Sequence, residues 1–139
     1  MNVFHELGVK DVLLVEDDPW TRDSFALFFQ IEGSHMQSAA NANEAIEPLS
    51  KGRFDLILCE HWLPGLDGLS LLNQFGKGQT GAVKILITPY RTDQLVEEAG
   101  RIGIHDVIQK PITVASLEKS LKRCLSHGRG RNLEPESVS

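Results

Sequence analysis

Glu60 is the residue of this chain best placed to do chemistry. It follows the apolar run at residues 56–59, and a loop with the turn-forming pairs Pro64-Gly65 and Asp67-Gly68 comes next. An unbroken apolar run of this length is typical of a strand that is covered on both faces. The pattern therefore places a carboxylate at the carboxyl end of a buried strand, where open α/β sheets bind their ligands.

Other polar groups follow three further predicted strands. Taken singly, each is common: an acidic residue after a strand often caps a helix, and a lone lysine is usually solvated. Together they put carboxylates, a hydroxyl and an ammonium at one edge of a parallel sheet, because its strands all end there. The groups are Glu16, Asp17 and Asp18 after the first strand, Thr88 after the fourth and Lys110 after the fifth.

Short apolar runs alternate with helical patterns along the chain. This alternation predicts an α/β fold with a parallel, doubly wound sheet covered by helices on both faces. Pro48 falls inside the second helix and is expected to kink or shorten it. The predicted strands are residues 12–15, 35–39, 56–59, 83–87 and 107–109, and the predicted helices are residues 20–32, 41–49, 67–75, 92–102 and 113–125.

Composition limits the class of protein. The 139 residues are 41% hydrophobic and 24% charged, which suits one globular domain. A net charge of -5 argues against a general nucleic-acid binder. No apolar run is long enough to cross a membrane, and no signal-peptide pattern opens the chain, so a cytoplasmic location is expected. Residues 1–125 should form the domain, and the polar residues 126–139 a disordered tail or the start of a linker.

The segments at the strand ends resemble those of bacterial response-regulator receiver domains. The matching segments are residues 12–18, residues 55–68, Ile87-Thr88 and Lys110-Pro111, and the resemblance spans residues 11–125. It implies a (βα)5 fold with a five-stranded sheet in the flavodoxin-like order 2-1-3-4-5. It also implies a signalling module of a two-component or phosphorelay system, and not an enzyme.

The resemblance assigns roles at the site. In the family an aspartate at position 60 accepts a phosphoryl group from a histidine kinase or a phosphotransfer protein; this chain has Glu60 there. Glu16 and Asp17 would form the acidic pocket, and Thr88 and Lys110 would contact the phosphoryl group. The Lys110–Pro111 bond is expected to be cis.

The resemblance also implies metal ligands. Asp17, Glu60 and the backbone carbonyl of Trp62 would hold Mg²⁺, a cation that prefers oxygen ligands. No cofactor is required by this interpretation. Weak Mg²⁺ binding and no binding both stay open, because Lys110 neutralises part of the acidic charge.

Three departures from the family pattern cluster at this site. The extra methylene of Glu60 moves its carboxylate by roughly 1 Å, and such a shift can slow a positioned reaction about 100-fold. Pro89 lacks the backbone N–H that would bind a phosphoryl oxygen. Val107 stands where the family usually has an aromatic switch residue, and Tyr90 is either a substitute for it or a surface tyrosine.

These departures favour a receiver that works without phosphorylation, through protein contact. In one alternative, Glu60 imitates a phosphorylated aspartate and holds an active-like state. In another, Glu60 accepts phosphate slowly. A remote alternative is a phosphate-handling hydrolase, although its usual Asp-x-Asp motif is replaced by contiguous Glu16-Asp17-Asp18.

The expected partners are proteins: a histidine kinase, a phosphotransfer protein or an output domain. In the family, the fourth helix, fifth strand and fifth helix commonly form the contact face, which also serves for homodimers. No direct contact with nucleic acid or membrane is expected. The mixed charges on this face are Arg101, Asp106, Lys119, Lys122 and Arg123.

Overall fold

The structure, a computed structural model, describes residues 3–126. Apart from Ser126, the predicted tail at residues 126–139 lies outside the described residues. No helix within residues 3–126 is long and apolar enough to cross a membrane.

Five parallel strands form one sheet in the order β2-β1-β3-β4-β5, as expected. The register aligns the ends that carry the site: Val15 lies beside Cys59, Glu60 beside Ile87, and Thr88 beside Gln109. The strands are β1 (Asp11–Val15), β2 (His35–Ala39), β3 (Leu56–Glu60), β4 (Val83–Thr88) and β5 (Asp106–Gln109).

Within residues 3–126, six helices cover the two faces of the sheet, one more than the sequence predicted. Because of the additional first helix, the fourth and fifth predicted helices become α5 and α6. The helices are α1 (Val3–Glu6), α2 (Pro19–Ile31), α3 (Ala42–Lys51), α4 (Gly68–Phe75), α5 (Asp93–Arg101) and α6 (Val114–Leu125).

Successive strand residues point to opposite faces, which divides the core into two layers. On β1, Leu13 and Val15 pack toward α3, α4 and α5, whereas Val12 and Leu14 pack toward α1, α2 and α6. All five residues of β3 and all six of β4 are buried. The central strands therefore hold the site side chains at their ends on a rigid support.

The helix α1 was missed because four residues are too short to show a helical period. Its Phe4 is fully buried and packs edge-on against Phe28, with ring centroids 5.3 Å apart. Phe4 also lies 5.6 Å from the Phe29 ring. The residues before β1 are thus part of the core.

The predicted helix ends are mostly confirmed. Asp18 caps α2, and Gly33 follows this helix with a φ of 84°, a value that glycine adopts without strain. Thr113 caps α6. Pro48 was expected to kink or shorten its helix; the shortening is wrong, because α3 continues through Pro48 to Lys51.

Candidate functional site

The carboxyl edge of the sheet brings together the side chains singled out in the sequence. Glu16 follows β1, Glu60 ends β3, Thr88 ends β4 and Lys110 follows β5. Glu16, Glu60 and Thr88 are 1%, 3% and 1% exposed, so three polar groups are buried at one edge. Buried polar groups need partners, and those partners define the site.

Glu60 pairs with Lys110. The distance between Glu60 Oε1 and Lys110 Nζ is 2.7 Å. Apart from this ion pair, Glu60 Oε1 accepts no hydrogen bond from the described residues. Burial disfavours a charged Lys110, but the contact with Glu60 and the charge of Glu16 outweigh it and raise the pKa of the ammonium. Lys110 is therefore a charged counter-ion that already has a partner.

Glu16 is the second buried carboxyl of the site. Its Oε1 lies 3.9 Å from Lys110 Nζ, and its Oε2 accepts a 3.1 Å hydrogen bond from the Asp18 N–H. Burial raises the pKa of Glu16 to about 7, and the charge of Glu60 and a hydrogen bond with it act in the same direction. Two acids that share one ammonium do not both ionise readily.

The other two acids of the first loop play different parts. Asp18 caps α2: it accepts from the Thr21 N–H at 2.9 Å and from the Thr21 hydroxyl at 2.6 Å, and these bonds lower the pKa of Asp18. Asp17 is exposed and makes no ion pair within residues 3–126. Only Glu16 of this loop faces the ammonium within 4.0 Å.

The fit of a metal ion follows from these positions. No three His, Cys, Asp or Glu side chains within residues 3–126 lie close enough together to hold a metal ion. Mg²⁺ requires near-octahedral oxygen ligation. Glu60, one of the expected ligands, instead pairs with the Lys110 ammonium. A cation that binds Glu60 would therefore compete with the Lys110 ammonium.

Thr88 turns its hydroxyl toward the loop that follows it. The hydroxyl donates to the Tyr90 carbonyl at 3.3 Å and accepts from the Tyr90 N–H at 3.2 Å. His61 Nδ1 lies 3.5 Å from the same oxygen. Pro89, between these residues, has no N–H to offer a ligand. The Tyr90 side chain is exposed.

Val107 lies at the position of the expected switch residue. Its side chain is buried in the layer that faces α3, α4 and α5. Its carbonyl accepts a 2.8 Å bond from Arg91 Nε, and the Arg91 N–H donates to Gln109 Oε1 at 2.9 Å. The sequence analysis missed Arg91 and Gln109. Their bonds tie the loop between β4 and α5 to the edge of the sheet.

The loop after Glu60 is fixed by backbone bonds. The His61 N–H donates to the Ile87 carbonyl, and the Gly68 N–H donates to the His61 carbonyl, both at 2.7 Å. A Cβ on Gly68 would lie 2.1 Å from the Glu60 carbonyl oxygen, so only glycine allows this approach. A second anchor that sequence reasoning missed is Arg22, whose Nη1 donates to the Glu16 carbonyl at 2.9 Å. The Lys110–Pro111 bond is cis, as predicted.

This fold and this strand-end site define a signalling receiver. The model of the response regulator receiver domain family matches residues 12–122, and the chain belongs to that family. A CheY-like receiver domain protein from Methanospirillum hungatei is similar in structure, with a TM-score of 0.75 and 27% identity over 86% of this chain and 99% of that one.

Three relatives show the range of proteins that carry such a domain. A 14.6 kDa protein of Leptolyngbya boryana, described as uncharacterized, is 31% identical over 86% of this chain and 94% of its own length. A cyclic di-GMP phosphodiesterase of Thermotoga maritima is 29% identical over 82% of this chain. The chain spans only 30% of that phosphodiesterase, and 35% of a Pseudomonas aeruginosa transcriptional activator, PfeR.

Proposed function

We propose that this domain is a receiver-type module of a two-component or phosphorelay system that signals by protein contact, without phosphorylation. The observation that carries the proposal is the 2.7 Å ion pair between Glu60 and Lys110. Glu60 stands where the family has its phosphoacceptor aspartate. Its carboxylate is already paired with the Lys110 ammonium, which a phosphoryl group would need as its own partner.

Three further features support the proposal. In-line phosphoryl transfer depends on positioning, and the longer side chain of Glu60 displaces the reacting oxygen. Pro89 removes one N–H donor from the loop. Val107 is a small core residue, so no aromatic ring at this position can report a movement of Thr88.

The ion pair also bears on the alternative that Glu60 imitates a phosphorylated aspartate. A contact with Lys110 is one that such an imitation would make. A Glu60 carboxylate that imitates a phosphoryl group should also contact the Thr88 hydroxyl. That hydroxyl instead forms hydrogen bonds with the Tyr90 backbone. A carboxylate has one negative charge, whereas a phosphoryl group has nearly two. These points favour the contact module over a permanently active switch.

The proposal includes a site that works without a metal ion. Lys110 supplies the positive charge that compensates for the two buried acids, Glu16 and Glu60. An added cation would have to displace this ammonium or compete with it. We therefore propose that Mg²⁺ binds weakly at most, and that no cofactor is required.

The face formed by α5, β5 and α6 is the proposed surface for a kinase, phosphotransfer protein or output domain. Several of its charges are already paired within the chain. Asp106 accepts from Arg123 and Ser120, and Lys122 lies 3.0 Å from Glu118. Arg101 and Lys119 are exposed on this face. A partner with acidic groups at matching positions would complement them.

Treatment with phosphoramidate and Mg²⁺ followed by intact-mass measurement tests the proposal. Four proteins are compared: wild type, Glu60→Asp, Pro89→Ala, and the double variant Glu60→Asp/Pro89→Ala. We expect no phosphoryl group on wild type or Pro89→Ala, slow gain on Glu60→Asp and faster gain on the double variant. If wild type gains a phosphoryl group as readily as Glu60→Asp, the proposal is wrong.

Glu60→Gln separates the contact module from the imitation. The amide removes the charge while it keeps the size of the side chain. In a contact module, the backbone amide NMR shifts should change at the strand ends and stay constant on α5 and along α6. Changes that spread over this face would favour the imitation.

A further inference from the structure

The helix α2 carries a second apolar face that nothing in the described chain covers. Trp20, Leu27 and Ile31 are 81%, 60% and 67% exposed. With Ser24 they occupy positions i, i+4, i+7 and i+11, which form one stripe along a helix. We call these four residues the α2 stripe. It contains no charged residue.

The α2 stripe is distinct from the face of α2 that packs on the sheet. Phe29 is fully buried, and Phe25 and Phe28 are partly buried against the layer that faces α1 and α6. The inward face therefore already anchors the helix. The outward large side chains do not serve the fold, and exposed apolar patches of this kind usually mark an interaction site.

A groove extends the apolar surface beyond the helix. It has a volume of about 670 Å³ and lies between α2 and the segment that leads from Lys110 into α6. Trp20 and Ser24 belong to both the α2 stripe and the groove, and Val114 on the far wall is 52% exposed. A specific interface buries about 800 Å² on each partner. The 13 residues of α2 span only about 20 Å, so the groove adds needed contact area.

Charge excludes two classes of occupant. Membrane-surface helices carry basic residues beside their apolar face, and nucleic-acid surfaces are basic as well. Asp17, Asp18 and Asp23, at or near the start of α2, are exposed acids. Lys110 lines the groove as well, but its ammonium is paired with Glu60. Arg22 is directed to the Glu16 carbonyl. The occupant is therefore an apolar protein surface.

The spacing of the α2 stripe fits a second copy of the same stripe. Trp20 and Ile31 are equally far along the sequence from the middle of the stripe, and so are Ser24 and Leu27. In an antiparallel pair, Trp20 would face Ile31 of the other copy, and Leu27 would fit over the small Ser24. A twofold interface needs this kind of self-complementarity.

We propose that the protein forms a homodimer through antiparallel packing of the α2 stripe. The four residues of the α2 stripe belong to none of α5, β5 and α6, although the adjoining groove reaches Val114 at the start of α6. The stripe residues that the variants change include neither Glu60 nor Lys110, although Lys110 lines the adjoining groove. The proposal therefore stands or falls independently of phosphorylation.

Sedimentation velocity on the full chain tests the dimer. Protein concentrations from about 1 μM to about 1 mM cover the range of weak to moderate affinities. We expect a wild-type dimer whose dissociation constant rises at least about tenfold in Leu27→Lys, because a charge would be buried without a partner. Ser24→Glu should weaken the dimer for the same reason.

The double variant Ser24→Glu/Leu27→Lys tests the register. Only antiparallel packing sets the introduced carboxylate of one copy against the introduced ammonium of the other, twice in each dimer. We therefore expect the double variant to dimerise more tightly than either single variant. Ala26→Lys adds the same charge to α2 off the stripe and should leave the dissociation constant unchanged. Thermal melts monitored by circular dichroism verify that every variant is folded.

Three results would overturn the proposal. The first is a wild type that stays monomeric over the whole concentration range, which would assign the α2 stripe to a different protein. The second is an effect of Ala26→Lys as large as that of Leu27→Lys. The third is a double variant no more dimeric than the single variants, which would exclude this register.

Discussion

The Lys110 ammonium faces two buried carboxyls, Glu60 at 2.7 Å and Glu16 at 3.9 Å. Removing one partner of a buried ion pair is destabilising, because the charge of the other partner is left without compensation. Lys110 is partly exposed, so water recovers some of its own solvation. Glu60 is buried and cannot recover its solvation in this way. Its dependence on Lys110 can therefore be measured as a loss of stability when Lys110 is replaced.

Lys110→Met keeps the length of the side chain and removes its charge. We expect it to lower the free energy of unfolding by about 1–3 kcal/mol, the usual cost of a buried polar group left without a partner. Urea unfolding at pH 8 measures the loss. Glu60→Gln/Lys110→Met should recover part of it, because the amide is neutral.

Lys122→Met is the matched control, since Lys122 pairs with Glu118 at the surface of α6. An exposed pair of this kind is worth less than about 1 kcal/mol. If Lys110→Met costs no more than Lys122→Met, the buried pair does not stabilise the site.

Gly68 is constrained by space. A Cβ there would approach the Glu60 carbonyl oxygen to 2.1 Å and Cys59 Sγ to 3.0 Å. Because backbone of β3 would have to shift, we expect Gly68→Ala to cost about 1–3 kcal/mol in urea unfolding. Gly100→Ala, at a helix position with nothing within 4 Å, should stabilise by about 0.5–1 kcal/mol. Equal effects of the two variants would contradict this account.

At the scale of elements, the sequence predicts what depends on local pattern. Apolar runs locate four of the five strands, and only a weak pattern marks the second, His35–Ala39. Asp18, Thr92 and Thr113 are typical helix N-cap residues and mark three helix starts. The convergence of Glu16, Glu60, Thr88 and Lys110 follows from strand order alone. Contacts between distant segments do not follow from strand order. The hydrogen bond from Arg91 to the Val107 carbonyl, for example, depends on the path of a loop.

The link between β4 and β5 is another contact that only the structure reveals. His105 Nδ1 accepts from the Lys84 N–H at 3.0 Å, and the His105 N–H donates to the Lys84 carbonyl at 2.8 Å. An accepting Nδ1 requires the ring to lack a proton there. Burial, together with the charge of Lys84, lowers the pKa of His105 below 6.5.

This shift predicts a pH dependence of stability. Below pH 6.5 the unfolded chain binds a proton at His105 more readily than the folded chain, so His105 makes stability fall as pH falls. His105→Asn keeps an oxygen that can accept from Lys84 and cannot be protonated in this range. Between pH 7.5 and 5.5, we expect wild type to lose stability relative to His105→Asn in urea unfolding.

The difference between the two proteins isolates His105 from other titrating groups. Glu16 acts with the opposite sign, because its raised pKa makes the folded chain bind the extra proton between about pH 4.5 and 7. His5→Asn, at an exposed ring, controls for the loss of an imidazole. Parallel stability curves for wild type and His105→Asn would contradict the prediction.

At the scale of the whole molecule, the sheet separates three surfaces. The strand ends hold the Glu60–Lys110 pair, α5, β5 and α6 present a mixed-charge face, and α2 presents the uncharged stripe. Parallel βα units produce this separation, because each helix returns the chain to the start of the next strand. A domain whose site has an internal counter-ion can still use the two helical faces for contacts.

The two ends of the chain should contribute unequally to this fold. Phe4 packs on Phe28 and Phe29 and is fully buried, so we expect Phe4→Ala to lower the free energy of unfolding by about 3–5 kcal/mol.

Ending the chain after Ser126 keeps Leu121 and Cys124, which are buried residues of α6. Thermal unfolding of this shortened chain should have the same midpoint as the full chain.

That comparison tests the domain boundary proposed from the sequence at residues 125 and 126. A matched truncation after Ser116 removes the buried face of α6, including Leu117, Leu121 and Cys124, and should abolish cooperative unfolding. If ending the chain after Ser126 lowers the midpoint as much as Phe4→Ala does, residues 127–139 stabilise the fold and the boundary is wrong. An unchanged midpoint places the stabilising contacts within residues 1–126, with α1 closing the layer that α2 and α6 share.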